Sequence, residues 1–392
     1  MQTTPRLTVF DGHNDVLLSL RTGKRTFLER GAEGHIDLPR ARDGGLGGGF
    51  CAVFVPSAPP TGDPDKDAAA ALAMHGDLSR MPPTPDTCPA QATAMAMMAD
   101  LFRLERESQG HVKVVRSAAE IEACLRDGVF AALLHIKGAE AIDADLDALE
   151  VFYQAGLRSL GPVWSRPNRF AQGVPFAFPG SPDTGEGLTD AGRALVRACN
   201  RLRVVIDLSH LNEKGFWDVA ALSDAPLVAT HSNAHALAPS PRNLTDKQLD
   251  AIKESDGMVG VNFHVGFLRA DGAQDADTPL DVMARHLDYL TERLGIDRVG
   301  FGSDFDGATM PREIGDAAGL PRLIEALRAL WLRRRGPAQA RTRELAARPA
   351  QDVRRVSRAM SFPPLTPCPL SLKGRGETDV TRQVALPHGA RA

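Results

Sequence analysis

The sequence predicts an α/β fold of the (β/α)8, TIM-barrel type, and three observations lead there. Apolar strand-like runs alternate with amphipathic helical stretches, there are eight such runs, and the polar residues able to do chemistry fall where the runs end. Strands that read as continuous apolar runs belong to a parallel sheet covered by helices on its faces. A doubly wound sheet is the competitor, but no GxGxxG follows the first strand, and the Gly-rich GGLGGGF of residues 44–50 precedes a strand instead.

The runs, in order, are LTVF (7–10), GFCAVFV (49–55), VFAALLHI (129–136), LRSLGPV (157–163), RVVIDLS (203–209), PLVATH (226–231), GMVGVNF (257–263) and RVGFGSD (298–304). Helical patterns lie between most of them, at DADLDALEVFYQAG (143–156), LTDAGRALVRACNRL (188–202), LTDKQLDAIKESD (244–256) and PLDVMARHLDYLTERLG (279–295). Residues 56–92, rich in Pro, Ala and Asp, form a long insertion after the second strand, a lid or a loop with a helix.

With 392 residues and 43% hydrophobic content, the chain can bury a large core. The first residues lack a charged segment followed by a long apolar one, and no stretch of about 18 apolar residues occurs, so no signal peptide or membrane span is predicted. A cytoplasmic address is the expectation, with no membrane partner. The five cysteines are scattered and never in CxxC spacing, which argues against a disulfide framework and against a thiolate metal site. Any metal must be held by His and carboxylate. The charge is uneven: residues 332–392 hold 13 Lys+Arg against 4 Asp+Glu, a net of +9, and residues 1–331 hold 33 against 45, a net of −12. The 332–392 segment has seven prolines and little periodicity, so it is read as a disordered basic tail, with the domain ending near Trp331, where the helical pattern from 319 is cut short. Without interleaved aromatic residues or a motif, the tail predicts no nucleic-acid partner.

Chemistry in a barrel is built at the carboxyl ends of strands. There the chain places His13 and Asp15, two apart and so able to project the same way, then Lys137, Asp207 and His210, Thr230 and His231, and Asp304 and Asp306. Each alone has an ordinary structural explanation: a turn for His-x-Asp or Asp-x-Asp, a hydrogen-bonded core residue for a single histidine. Histidines after strands one, five and six of one barrel have no structural reason to cluster, and His with carboxylate suits Zn2+ or a similar ion.

FDGHND, IDLSH, THSNAHAL followed by SPRN, and GFGSDFDG, in this order and over roughly residues 7–330, resemble the membrane (renal) dipeptidase family, the M19 metallopeptidases of the amidohydrolase superfamily. The resemblance implies a barrel of the metal-dependent hydrolase kind, two Zn2+ ions per subunit, a dipeptide substrate and a possible homodimer. His13 and Asp15 match ligands of one metal and His210 and His231 ligands of the other. A hydroxide bridging the ions would attack the peptide carbonyl. Asp304 matches the proton-shuttling aspartate, and Arg242, with Asn243 beside it in SPRN, the group that holds the substrate carboxylate. Another amidohydrolase reaction, on N-acyl amino acids, is compatible with the same arginine.

Two positions depart from the family pattern. Trp164 stands where a histidine often follows strand four, and would line the substrate pocket. Lys137 stands where a glutamate bridges the metals. Three outcomes are open for it: the ammonium weakens or abolishes the metal pair, giving an impaired or silent family member; the amine takes up carbon dioxide and bridges as a carbamate; or Glu140 reaches inward in its place.

Overall fold

The computed structural model describes residues 8–22, 25–57 and 84–335, with side chains to residue 329. Its strands are β1 (Val9–Asn14), β2 (Leu46–Phe54), β3 (Val112–Val115), β4 (Phe130–Lys137), β5 (Ser159–Gly161), β6 (Val205–Ile206), β7 (Val228–Ala229), β8 (Met258–Asn262) and β9 (Val299–Gly302). Between them run helices α1 (Val16–Thr22), α2 (Leu38–Gly44), α3 (Thr87–Glu107), α4 (Ala118–Asp127), α5 (Asp147–Ala155), α6 (Asp190–Leu202), α7 (Glu213–Leu222), α8 (Asp246–Glu254), α9 (Val265–Leu268), α10 (Leu280–Leu294) and α11 (Leu320–Arg335).

All strand pairing is parallel, in one sheet with the path β1-β2-β4-β5-β6 and a second with β7-β8-β9. Isolated parallel bridges at Asp207↔Val228 and Asn14↔Phe305 link the two sheets at both seams. Every residue of β4 is buried. This follows from its place: β2 pairs with it along one edge, from Gly48↔Ala131 to Phe54↔Lys137, while β3 and then β5 share the other. A strand without a solvent face has no use for alternation, hence its apolar run.

The eight expected strands are present, but two features were not read from sequence. β1 extends to Asn14, so Asp11 and His13 lie within the strand. The segment α3, β3 and α4 was not assigned; β3 is only four residues and alternates buried and exposed around Lys113. The four expected helices all form, as α5, α6, α8 and α10. α6 and α8 begin where polar caps dictate: Thr189 accepts from Gly192 N–H, and Thr245 with Gln248 forms a full capping box. α11 runs through the Trp331 position to Arg335. Residues 332–335 of the tail expected over 332–392 are therefore helical; residues 336–392 of it, and residues 58–83 of the expected insertion, lie outside the described residues. Among the described residues no helix is long and apolar enough to cross a membrane.

α10 is tied to the site side by buried His286. Its Nε2–H donates to the Leu268 carbonyl (2.9 Å), and Nδ1 accepts from Ala234 N–H (3.2 Å), so the ring is held neutral. Burial pulls its pKa from 6.5 to about 4. Between these values the unfolded chain binds the extra proton, so this contribution to stability is present at neutral pH and lost as pH falls towards 4. Against His286→Gln, wild-type protein should lose roughly 3 kcal/mol of relative stability between pH 7 and pH 4, read by urea unfolding. A pH-independent difference would rule out the neutral buried ring.

Candidate metal centre

The strand ends bring titratable side chains to one place. β1 and the residue after it carry Asp11, His13 and Asp15, all buried, with an irregularity in the strand register between Asp11 and Asn14. Asp11 is spent on structure: it accepts from Ser303 N–H (2.7 Å), Ser303 Oγ (2.8 Å) and Asn14 Nδ2 (3.2 Å), fastening β1 to the end of β9. Burial raises its pKa to about 6 against those hydrogen bonds. Directly after β9, Asp304 takes a left-handed backbone (φ 58°) and donates its N–H to the His13 carbonyl (2.9 Å). His210, after β6, is also left-handed (φ 71°). Such backbone in non-glycine residues persists where surrounding structure enforces it, and it concentrates at functional sites.

His13, Asp15 and Asp304 form the first cluster, with ligand atoms within 4.8 Å of one another. His13 Nε2 is 3.6 Å from Asp15 Oδ2 and 3.9 Å from Asp304 Oδ1. Lys137 Nζ enters the same cluster, donating to Asp15 Oδ2 at 2.8 Å and lying 3.5 Å from Asp304 Oδ1. Burial works against the Lys137 ammonium, but the two carboxylates outweigh it and raise its pKa. Burial likewise pushes Asp15 up, and the Lys137 ammonium, followed by the neighbouring His13, pulls it well below the usual carboxylate range. Gly307 closes over the pair; a Cβ there would stand 2.1 Å from Asp15 Oδ2 and 2.9 Å from Asp304 Oδ1.

The second cluster is the pair His210 and His231, whose Nε2 atoms are 3.1 Å apart. That is the chord between two imidazoles on one ion at about 2.05 Å and an angle of about 100°. The hydrogen bonds behind His231 settle its tautomer. Thr230 Oγ1 donates to Asp207 Oδ2 (2.6 Å), so towards His231 Nδ1 (2.8 Å) it can only accept; Nδ1 carries the proton and Nε2 presents a lone pair. Asp207 Oδ1 meanwhile accepts from Ser209 N–H (3.0 Å) and Thr230 N–H (2.9 Å). His13, Asp207 and His231 also lie close enough to share an ion, but the Asp207 carboxylate is committed to orienting His231. Ser165 Oγ backs His210 at Nδ1 (3.0 Å). Burial, and then neighbouring cations including Arg242 and Lys137, hold His210 and His231 well below an ordinary histidine pKa, in the neutral form a metal requires.

Beside the histidines lies an aromatic wall. Trp164 packs against Phe54, Phe176 and His210, with ring centroids 5.3, 5.6 and 6.1 Å away, and Phe176 stacks on Phe267 at 6.1 Å. Arg242 lies over Phe267, donates from Nη2 to the His231 carbonyl (3.1 Å), and keeps its buried Nε without a partner. Asn243 is placed differently: its amide donates to the carbonyls of Ala238 and Phe267 (both 2.8 Å) and braces the loop that carries Arg242. Glu140 does not reach inward. It forms a fully buried ion pair with Arg166 (3.0 Å), which also holds the Val55 carbonyl, so the third outcome considered for Lys137 is overturned.

The orphaned atoms decide what this place is for. Buried and without hydrogen-bond partners are both ring nitrogens of His13, Asp15 Oδ1, Asp304 Oδ1, His135 Nε2 and Arg242 Nε. Buried polar atoms are normally satisfied, and a cluster of exceptions marks a place suited to hold an ion or ligand. The sequence profile of the membrane dipeptidase family, peptidase family M19, matches residues 2–356. The chain belongs to that family. It is therefore a hydrolase of the metallodipeptidase class. A metallopeptidase from Rhodobacter sphaeroides, solved with a phosphinate mimic of the dipeptide L-Ala-D-Ala, is 55% identical with a TM-score of 0.77, covering 82% of this chain and 93% of its own. The solved dipeptidase AC, a metallopeptidase of family M19, is 50% identical with a TM-score of 0.77, covering 91% of this chain and 99% of its own. An uncharacterised Klebsiella pneumoniae protein from the region 5′ of pqqA is 57% identical over 227 residues, 58% of this chain and 84% of that protein.

Sequence reading assigned no role to several residues around this M19 site. His135 is buried two positions before Lys137, its Nδ1 on Ser159 Oγ (2.9 Å), and burial pushes it down to about 3. The signal was its two-residue spacing from Lys137, which puts both on one strand face. Asn262, at the end of β8, donates to Asp304 Oδ2 (2.9 Å) and leaves Oδ1, 3.5 Å from Lys137 Nζ, without a hydrogen bond. Nothing in a lone Asn marks it as a carboxylate's partner. The Thr230 relay predicts that Thr230→Val, by removing the Nδ1–H acceptor, weakens metal binding about 10- to 100-fold in a chelator competition while the melting temperature stays near wild type. Unchanged affinity would show that His231 needs no such orientation.

Proposed function

We propose that this protein hydrolyses the peptide bond of dipeptides with the help of a divalent metal ion held by His210 and His231, zinc by the nitrogen character of those donors. The observation that carries the reading is the convergence of orphaned buried atoms of His13, Asp15, Asp304 and Arg242 beside a pair of imidazole nitrogens 3.1 Å apart. It draws further support from the dipeptide mimic bound by the Rhodobacter sphaeroides relative. The reading takes the two bridged sheets as one closed (β/α)8 barrel, which the seams at Asp207↔Val228 and Asn14↔Phe305 support.

Such an ion, when bound, supplies Lewis-acid polarisation and lowers the pKa of water. The remaining work falls to side chains. Arg242 takes the free carboxylate of the substrate by a charge-assisted contact from Nε, which has no other partner. Its burial, which lowers its pKa to about 10, keeps water from competing for the charge. Because Arg242 sits directly beside His231, the bond placed at the histidines is the one next to the carboxylate, which selects dipeptides over longer chains. Trp164, Phe176 and Phe267 exclude water around the substrate. Asp304, held at Oδ2 by Asn262, takes the proton of the attacking water on Oδ1 and delivers it to the leaving amine.

The test is a panel of L-Ala-L-Ala, L-Ala-D-Ala, a tripeptide and N-acetylalanine with metal-loaded protein. Turnover of a dipeptide with little action on the tripeptide is expected; preference for N-acetylalanine would move the reading to deacylation, and no turnover would end it. Asp304→Asn should lower kcat about 100- to 10,000-fold with the metal retained. Arg242→Lys, which loses the forked contact, should lower kcat/KM roughly 10- to 100-fold, mainly through KM; an effect confined to kcat would refute carboxylate binding.

A further inference from the structure

We infer that this chain binds one divalent ion rather than two, because the Lys137 side chain itself occupies the cation position between Asp15 and Asp304. The inference rests on the metal-dependent reading above and specifies it. The two clusters of the site differ in charge and in what already fills them. His210 and His231 are neutral groups whose Nε2 atoms face each other at hydrogen-bonding distance, 3.1 Å. Asp15 and Asp304 are carboxylates, and the oxygens that face His13 Nε2 are the same two that Lys137 approaches, Asp15 Oδ2 at 2.8 Å and Asp304 Oδ1 at 3.5 Å. A second metal would have to share both oxygens with an ammonium.

Lys137 is also well placed to stay. Its backbone is the last residue of β4, paired to Phe54 on one side and Gly161 on the other, so the stem starts from fixed points. Nζ lies 5.6 Å from the Phe54 ring centroid. Gly138 then turns the chain away in a left-handed conformation (φ 91°), where a Cβ would strike Glu140 Oε2 and crowd Trp164 N. Glu140, the nearest other carboxylate in sequence, has Oε1 held by Arg166 and, among the described residues, belongs to neither group of side chains close enough to share an ion. The ammonium therefore does in the fold what a cation would do, holding Asp15 and Asp304 together beside His13.

The test is a metal count on the full-length protein, incubated with excess Zn2+, desalted and measured by plasma mass spectrometry without substrate. Wild type should retain one equivalent and Lys137→Glu two. Lys137→Gln, which keeps the stem without the charge, should also gain a second, weaker equivalent if the glutamate variant fails to fold, and Lys137→Arg should stay at one. His210→Ala should fall from one to none. Two equivalents in wild type would overturn the inference, whether or not the intact mass shows a carbon dioxide adduct on Lys137. So would zero equivalents, a single equivalent in Lys137→Glu, or an ion that survives His210→Ala. A protein with one ion and no dipeptide turnover would remove the proposed function and leave this inference standing.

Discussion

Asp11 joins two strands whose contacting residues are 292 positions apart in the chain, and the site depends on that junction. Its carboxylate accepts from the backbone and hydroxyl of Ser303, which brings the end of β9 against β1. Only then can Asp304 donate its N–H to the His13 carbonyl, and Asp15 its N–H to Phe305. Three of the residues that meet in the charged cluster, His13, Asp15 and Asp304, come from the two sides of this seam. A buried carboxylate is costly unless it is fully hydrogen-bonded, and this one is matched by donors from both strands.

The opposite seam does the corresponding work for the histidines. Leu208 N–H donates to the Val228 carbonyl, setting β6 beside β7, and the Asp207 side chain then gathers Ser209 and Thr230. Through the Thr230 hydroxyl the same carboxylate fixes which His231 nitrogen faces His210. The two seams thus carry the two halves of the site, one anionic with Lys137 inside it, one neutral. Each half spends one aspartate on structure, Asp11 and Asp207, and residue type alone does not distinguish these from Asp15 and Asp304, which meet Lys137.

Much of the fold was legible because parallel strands buried on both faces must be apolar throughout, and FAALLHI could hardly be anything else. The helices over 188–202 and 244–256 were legible from their periodicity, and in the fold Thr189 and Thr245 cap them, because a side-chain oxygen is needed where the first N–H groups have no partner. β3 escaped because four residues with one exposed Lys do not stand out from a loop, and its place is fixed by β4 instead. In the site, His13, Asp15, His210, His231 and Asp304 were marked by residue type at strand ends. Asn243 reads as a substrate contact beside Arg242; in the fold its Nδ2 is taken by two backbone carbonyls, while its buried Oδ1 has no partner. A motif conveys which residues are present but not which way an amide points.

By itself the sequence determined the order of eight strands and four helices, through their periodicity, and the family, through its motifs. Only the tertiary structure decided that Glu140 turns away to Arg166, that Thr230 sets the His231 tautomer, and that Lys137 Nζ lies between Asp15 and Asp304. The physical reason is the same for all three. Each depends on a distance of about 3 Å to a group well removed in the chain, Arg166 for Glu140, Asp207 for the Thr230 hydroxyl and Asp15 for Lys137, and contacts of that length are made by the packing of strands.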